Sequence, residues 1–291
     1  MIERVGWEEL PAALRNAVEE RAGRVIASEI VAEGLNCSAA LALTAERGER
    51  LFFKGAREDD VAAVAALDCE ARINETVQEV SPAVRHRFRA GGWSCLAFAF
   101  IDGRHADLGP GTSDLAAVTS ALQRMQAFSG PASFVPPLSE RFAPHLLPGE
   151  AERLNGPALV HTDTHPHNIL IGNHDGAAYI VDWAIPATGP AWVDLASTAV
   201  RLMECGQTPV DALTWLGSFT NWRNADPKSV ETFVNVTCRH WTARVGERAA
   251  KPSNARFRHL LGVEQGSASD PPPRRSAGNA AARRCRTHPQ G

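Results

Sequence analysis

The chain of 291 residues lacks the features that mark a membrane or nucleic-acid-binding protein. No stretch approaches about 18 consecutive apolar residues, so no membrane-spanning helix is expected. The net charge of −3 argues against nucleic acid or an anionic membrane as the main partner. The first twenty residues, MIERVGWEELPAALRNAVEE, are acidic and amphipathic, which is not the pattern of a signal peptide.

Cysteine is also sparse, and its six copies occur singly, without a C-x-x-C pair. A chain of this length needs no disulfide framework, because it can bury a real apolar core. Its 44% hydrophobic and 22% charged residues are ordinary for a soluble globular protein. We therefore expect reduced thiols, a cytoplasmic location, and either one large domain or two modest lobes.

Only three lysines are present, Lys54, Lys228 and Lys251, whereas arginine is abundant. This bias reflects codon usage, since ordinary surface charge does not discriminate between the two side chains. A lysine inside a predicted strand is then notable, and Lys54 lies in the strand-like segment LFFKGA.

The first hundred residues predict a small antiparallel sheet that carries one helix. Strand-like segments and a polar turn, AERGER, indicate a meander, and AGG followed by WSCLAFAF indicates a hairpin. Residues 59–80 have helical periodicity that ends before Pro82. The predicted strands cover residues 25–31, 39–43, 51–56 and 93–100.

The pattern becomes helical from Ser113, which is a candidate N-cap for the helix SDLAAVTSALQRMQAF. Further helices are predicted in WVDLASTAVRLMECG, DALTWLGSFTNW and SVETFVNVTCRHWTARV. After Gly262 the chain has one valine and no larger apolar residue, which predicts a disordered tail. The fold class is thus α+β and bilobal, with an N-lobe (1–101), a C-lobe (102–262) and a tail (263–291).

The segment LVHTDTHPHNILI contains the strongest functional signal. Asp163 and Asn168 have the aspartate-to-asparagine spacing of a kinase catalytic loop, and Asp182 ends the apolar run YIV fourteen residues later. A predicted hairpin between them brings Asn168 and Asp182 to one edge. Phosphoryl transfer needs a carboxylate for the hydroxyl proton, which suits Asp163, and oxygen ligands for Mg²⁺, which suit Asn168 and Asp182.

Lys54 is the candidate cation for the α- and β-phosphates, and Glu70 is its predicted partner. Glu70 lies on the apolar stripe of its helix, three residues from both Leu67 and Ile73. A buried carboxylate needs a cation nearby, because leaving it unpaired costs several kcal/mol. The alternative is a solvated glutamate at the edge of that face.

The segments HTDTHPHN, IVDW and GPAWVDLAS resemble the signature of the aminoglycoside phosphotransferase and choline-kinase-like family, small-molecule kinases with the protein-kinase fold. The resemblance covers about residues 24–250. It implies ATP and Mg²⁺ as cofactors and a small-molecule hydroxyl acceptor. It also implies that Asp163 is the base, and that the hinge at Phe98–Ile101, with Phe98 and Phe100, offers backbone groups to adenine.

The sequence departs from the best-known family pattern at several positions. EGLNCSAA lacks the full G-x-G-x-x-G, so the phosphate cover would depend on Gly34, Asn36 and Ser38. Thr162 and His167 occupy positions where the family often has glycine.

The three histidines of the segment, His161, His165 and His167, allow a zinc site as an alternative, although Pro166 interrupts their alternation. We instead predict that His161 is structural and bonded to nearby backbone and to Asp194. Asp194 is either a helix N-cap or a brace for the loop.

The leading hypothesis is therefore an ATP-dependent phosphotransferase, and the alternative is a catalytically silent kinase-fold nucleotide-binding protein. A metal-dependent hydrolase would leave Lys54 and Glu70 unexplained. Aminoglycoside, macrolide, choline, homoserine and sugar acceptors all stay open, as does the oligomeric state. An aminoglycoside would want several carboxylates, and the helical part offers five at ordinary surface density: Glu204, Asp211, Asp226, Glu231 and Glu247.

Overall fold

A five-stranded antiparallel sheet forms the first part of the molecule. The structure is a computed structural model that describes residues 4–32, 37–131 and 133–262. The strands lie in the order β1-β2-β3-β5-β4. They are β1 (Val25–Ile30), β2 (Ala39–Ala45), β3 (Arg50–Arg57), β4 (Val84–Ala90) and β5 (Trp93–Ala99).

Lys54 lies in the central strand of this sheet. It is opposite Ala40 of β2 on one side and Leu96 of β5 on the other. Hydrogen bonding on both edges and an almost wholly buried sequence keep β3 in a fixed register. The Lys54 backbone is therefore held rigidly.

Two helices pack on the sheet, α1 (Ala12–Ala22) and α2 (Val61–Val77). The Asp60 side chain caps α2 by accepting a hydrogen bond from the Ala63 backbone N–H at 3.0 Å. The buried face of α2 includes Leu67, Ile73 and Glu70, as the apolar stripe predicted. This helix is shorter than the predicted range 59–80.

The second part is mostly helical, with two small sheets of short strands. The strands are β6 (Gly103–His105), β7 (Ala158–Val160), β8 (Ile169–Gly172), β9 (Ala178–Ile180) and β10 (Ala187–Gly189). The helices are α3 (Leu115–Met125), α4 (Leu138–Arg141), α5 (Val193–Glu204), α6 (Pro209–Gly217), α7 (Thr220–Arg223), α8 (Pro227–Val245) and α9 (Glu247–His259). Single 3₁₀ turns cover Trp7–Glu9, Ala143–His145, Ala151–Leu154 and Pro166–Asn168.

One large apolar core fills the helical part and reaches into the first. Ile73 and Val77 of α2 belong to it together with Trp183 and the buried faces of α5 and α8. A separate cluster joins α1 to the sheet through Leu14, Phe53 and Trp93 among others. The α2 helix therefore ties the two parts together.

Three details of the helical part differ from the sequence predictions. Ser113 is not the N-cap of α3, because Asp114 precedes the helix and its carboxylate instead accepts two hydrogen bonds from Arg104, at 2.5 and 2.7 Å. The segment DALTWLGSFTNW forms two helices, α6 and α7, not one. Helix α9 was not predicted, since Pro252 lies inside it and few large apolar residues mark its buried face.

The α+β class and the bilobal kinase-like arrangement are confirmed. The predicted tail, residues 263–291, lies outside the described residues. Across the described part of the chain, every helix is too short or too polar to cross a bilayer.

Candidate active site

A β-hairpin carries the two candidate metal ligands. Strands β8 and β9 pair antiparallel with Ile169 opposite Ile180, and the Val181 backbone N–H donates to the Asn168 carbonyl at 2.9 Å. Asn168 directly precedes β8, and Asp182 follows β9 by two residues. The two side chains therefore meet at one edge, as the predicted hairpin requires.

Lys54 connects this edge to the sheet and to α2. Its Nζ donates to both carboxylate oxygens of Glu70 at 2.9 Å and to Oδ1 of Asp182, also at 2.9 Å. Lys54 is 8% exposed and Glu70 is 3% exposed, so the solvated alternative for Glu70 is wrong. The contact with Asp182 was not anticipated from the sequence.

Charge around Lys54 keeps it protonated. Burial lowers the pKa of Lys54, but the carboxylates of Asp182 and Glu70 more than offset this and raise it above its usual value. Burial also raises the pKa of Glu70, and the ammonium of Lys54 opposes that shift. The site thus holds a permanent cation between two carboxyl groups.

Asp163 and Asn168 interact directly within the loop. Asn168 Nδ2 donates to the Asp163 carbonyl at 2.9 Å and to Asp163 Oδ2 at 3.2 Å. Because its amide nitrogen is used in this way, Asn168 presents its amide oxygen as the atom that can face a cation. The guanidinium of Arg201 lies 3.6 Å from Asp163 Oδ1.

Asp194 braces the loop and does not cap a helix. It lies in the first turn of α5, while Trp192 precedes the helix. Its carboxylate accepts hydrogen bonds from the backbone N–H of His161 at 2.7 Å and of Thr162 at 2.9 Å. Burial raises the pKa of Asp194, and these two hydrogen bonds oppose the rise.

His161 also has the predicted structural contacts. Its Nε2 lies 2.9 Å from the Val181 carbonyl, and its ring packs edge-on against Trp183 at 4.7 Å. These contacts connect the catalytic loop to the chain that leads into Asp182.

Two residues of the site have the left-handed backbone conformation that favours glycine. Thr162 has φ 70° and Asp182 has φ 66°, a conformation that costs a non-glycine residue about 1–3 kcal/mol. Thr162 is held there by Asp194 and by its hydroxyl, which contacts the Ile185 carbonyl at 3.1 Å and accepts from Arg141 Nη1 at 2.8 Å. This conformation explains why the resemblance led us to expect glycine at that position.

The other two histidines of the loop do not converge on one point. The rings of His165 and His167 are stacked nearly parallel at 4.9 Å, and His105 packs edge-on against His167 at 5.1 Å. Within the described ranges, no group of three or more His, Cys, Asp or Glu side chains is arranged to hold a metal. Burial and the nearby charge of Arg201 lower the pKa of His165 to about 4.

A cleft between the sheet and the hairpin, which we call the nucleotide cleft, contains most of the predicted nucleotide-binding residues. Lys54, Glu70, Asn168 and Asp182 line it together with the hinge residues from Phe98 to Ile101. Ser38 is not part of its lining, although its neighbour Cys37 is. The other two predicted phosphate-cover residues, Gly34 and Asn36, lie outside the described residues.

A second cleft is lined by other residues of the same loop, and we call it the acceptor cleft. Asp163 and Thr162 line it, with Arg141, Arg201 and Arg244. Its remaining wall includes apolar and aromatic side chains of α4, α5, α8 and α9: Leu138, Val193, Phe233, Trp241 and Phe257. The hydrogen bond between Asp163 and Asn168 is where the two clefts meet.

Arg141, Arg201 and Arg244 were not predicted from the sequence. They lie 22, 38 and 81 residues from Asp163 in the sequence, and no motif surrounds them in an arginine-rich chain. Their position in the acceptor cleft depends on how α4, α5 and α8 pack.

Comparisons with known proteins agree with this arrangement. The model of the phosphotransferase enzyme family, APH, matches residues 12–227. Among solved structures, the choline kinase from Streptococcus pneumoniae has a TM-score of 0.57 at 11% identity, covering 86% of this chain and 98% of its own. The macrolide 2'-phosphotransferase from Brachybacterium faecium has a TM-score of 0.52 at 16% identity, with coverages of 87% and 99%.

An aminoglycoside phosphotransferase from Alicyclobacillus acidocaldarius has a TM-score of 0.53 at 13% identity, covering 89% of this chain and 95% of its own. At these identities the likeness concerns the fold alone. A search of curated protein sequences found no match.

Proposed function

Because the chain belongs to the APH phosphotransferase enzyme family, we propose that it transfers the γ-phosphoryl group of ATP to a hydroxyl group of a small molecule. The observation that carries this proposal is the junction of the two clefts. The 3.2 Å hydrogen bond between Asp163 and Asn168 puts a candidate base on the acceptor side beside a candidate metal ligand on the nucleotide side.

The nucleotide side supplies the charges that phosphates require. Lys54, held by Glu70 and Asp182, is a fixed cation that can pair with phosphate oxygens. The hinge from Phe98 to Ile101 would offer backbone groups to adenine. Proper placement of this cation depends on Glu70, because α2 positions the carboxylate that orients Lys54.

Asn168 and Asp182 fit a magnesium ion by the chemistry of their donor atoms. An amide oxygen and a carboxylate are hard oxygen ligands, which Mg²⁺ prefers, and both residues line the nucleotide cleft. When bound, the ion would neutralise charge on the phosphate oxygens.

Asp163 would orient the acceptor hydroxyl and take its proton. A new bond forms between the acceptor oxygen and the γ-phosphorus, the bond from that phosphorus to the β–γ bridging oxygen breaks, and ADP leaves. Asp194 would contribute by holding the backbone of His161 and Thr162, which fixes the position of the next residue, Asp163.

Asp163→Asn tests this assignment. We expect the variant to keep its fold and its magnesium-dependent ATP binding, and to lose roughly 10²–10⁴-fold in turnover, the usual scale for a positioned acid–base group. ADP formation over a panel of hydroxyl acceptors and ATP binding by calorimetry, with and without a chelator, are the measurements.

The matched control is Asp59→Asn, because Asp59 is exposed, precedes α2 and lines neither cleft. Unchanged turnover in Asp163→Asn would remove this residue from the reaction. Magnesium-dependent ATP binding without turnover in the wild-type chain would instead indicate the silent nucleotide-binding protein.

A further inference from the structure

The acceptor cleft has an excess of positive charge. Arg141, Arg201 and Arg244 line it, and Asp163 is the only carboxylate among its lining residues in the described chain. Arg201 is partly neutralised, since its Nη1 lies 2.7 Å from Glu204 and its Nη2 lies 3.6 Å from Asp163. The charge of Arg141 is not balanced in this way.

Arg141 is half-buried and touches a neutral group. Its Nη1 donates to the Thr162 hydroxyl at 2.8 Å, and within the described chain no carboxylate lies within 4.0 Å of its guanidinium. Burial lowers the pKa of Arg141, the charges of Asp163 and Asp194 oppose this, and Arg244 adds to it. A half-buried guanidinium without a close counter-ion loses part of its hydration without compensation, so a bound anion would stabilise it.

The same charges disfavour a polycationic acceptor. None of the five acids that the sequence offered for an aminoglycoside lines this cleft. Glu204 pairs with Arg201. The carboxylates of Asp211 and Asp226 accept hydrogen bonds at the starts of α6 and α8, from the Thr208 hydroxyl and the Ser229 backbone N–H. The acids that would neutralise several ammonium groups thus lie outside the acceptor cleft, and three of them already have partners.

The aromatic residues do not form a free cage for a quaternary ammonium either. The guanidinium of Arg244 lies 5.6 Å from the centre of the Trp241 ring. Phe142 packs edge-on against His240 at 5.7 Å. A cation that entered here would lie beside Arg141, which repels it.

We propose that the acceptor of this chain carries an anionic group, a carboxylate or a phosphate, close to the hydroxyl that is phosphorylated. The anion pairs with Arg141, while the hydroxyl faces Asp163. This proposal rests on the proposed function for its phosphoryl step, in which ATP and the hydroxyl acid give ADP and a phosphate monoester, with the proton passing to Asp163. Planar guanidinium groups suit both anions, because they donate in pairs to two oxygens.

An acceptor panel tests the charge preference. Its arms are hydroxy carboxylates (homoserine, glycerate), polyol phosphates (glycerol 3-phosphate), a neutral polyol (glycerol), and cations (choline, kanamycin). We expect kcat/KM for ADP formation to be at least tenfold higher in one of the two anionic arms than in the neutral and cationic arms. The arm that responds identifies the anion, and calorimetric binding of the same compounds gives a readout that needs no turnover.

Arg141→Gln tests the residue. We expect it to raise KM and Kd for the preferred anionic acceptor roughly 10- to 100-fold, the scale of one charge-assisted contact, with magnesium–ATP affinity retained. Arg141→Lys should recover part of the lost affinity, because lysine restores the positive charge but not the paired donors of the planar guanidinium. Arg258→Gln, an exposed arginine of α9 outside the cleft, is the matched control.

Preferred turnover or binding of kanamycin, choline or glycerol would overturn the anionic acceptor while the kinase function stood. Failure of every anionic compound to bind a chain that binds magnesium–ATP would do the same. Binding of an anion that depends on Arg141, without any turnover, would support the anion site and count against the proposed function.

Discussion

At the scale of single residues, the contacts of Lys54 organise the nucleotide side of the site. One ammonium group donates to Glu70 from α2 and to Asp182 from the β8–β9 hairpin, both at 2.9 Å. Lys54 thereby joins its own strand and the next helix, α2, to a hairpin whose Asp182 lies 128 residues further along the sequence. Removing Lys54 alone would leave the buried carboxylate of Glu70 uncompensated, which is more damaging than removing both residues.

A double-mutant cycle on Lys54→Met and Glu70→Leu measures this coupling. We expect each single variant to bind ATP more weakly and to lose stability, and the double variant to lose less than the sum by about 0.5–3 kcal/mol. Activity should stay low in the double variant because the phosphates have lost their cation. Urea unfolding of the four proteins gives the coupling.

Arg87 and Asp68 provide the control cycle, since they join the same helix to β4 at 2.7 Å but are half-exposed. Coupling of about 0–1 kcal/mol is expected there. Strict additivity at Lys54 and Glu70 would mean that their contact contributes nothing to stability.

At the scale of elements, short pieces of structure hold the catalytic loop. The single 3₁₀ turn Pro166–Asn168 begins after His165, whose Nδ1 accepts the backbone N–H of His167 at 3.3 Å. Only an unprotonated Nδ1 can accept. The start of α5 fixes the other end of the loop through Asp194.

This turn predicts a specific pH dependence. Burial lowers the pKa of His165 to about 4, whereas an unfolded histidine titrates near about 6.5. The contribution of neutral His165 to the free energy of unfolding is therefore fully present above about pH 6.5. It is lost as the pH falls towards 4, because the unfolded state binds the proton first.

His165→Asn should keep an acceptor for the cap and remove the titration. We expect the wild-type chain to lose on the order of 1–3 kcal/mol more than this variant between pH 7 and pH 4.5, measured by urea unfolding at each pH. His174→Asn is the control, because the side chain of His174 is 87% exposed. Equal slopes in the wild type and His165→Asn would show that His165 does not titrate abnormally.

At the scale of the whole molecule, residues of the loop line two clefts of different character. The nucleotide cleft presents Lys54 between carboxylates, and the acceptor cleft presents arginines beside Asp163. Both parts of the chain share one apolar core through Ile73 and Val77. This shared core holds the two clefts in a fixed position relative to each other.

Truncation after Gly262 tests where this core ends. We expect the midpoint of thermal unfolding to fall by less than about 2 °C and activity to persist, since residues 263–291 supply almost no apolar side chain to bury. A deeper truncation after Gly246 should lower Tm by much more, because it removes Phe257 and Leu260 from the core. A fall of several degrees in the first variant would contradict the prediction.

The sequence by itself determined the features that short-range physics controls. Strand and helix periodicity predicted the sheet and α2, and the loop spacing together with a predicted hairpin brought Asn168 and Asp182 to one edge. The Lys54–Glu70 contact was also foreseeable, because a carboxylate on an apolar helix face requires a cation and lysine is rare in this chain.

Only the tertiary structure decided how distant segments converge. The contact of Lys54 with Asp182, the bracing role of Asp194 and the position of Arg141 in the acceptor cleft join residues 128, 33 and 21 apart in sequence. Local propensity opposes helix α9 because Pro252 lies inside it. The helix forms nevertheless, because tertiary packing buries Phe257. Such contacts depend on the packing of whole elements, and neither periodicity nor spacing along the chain records that packing.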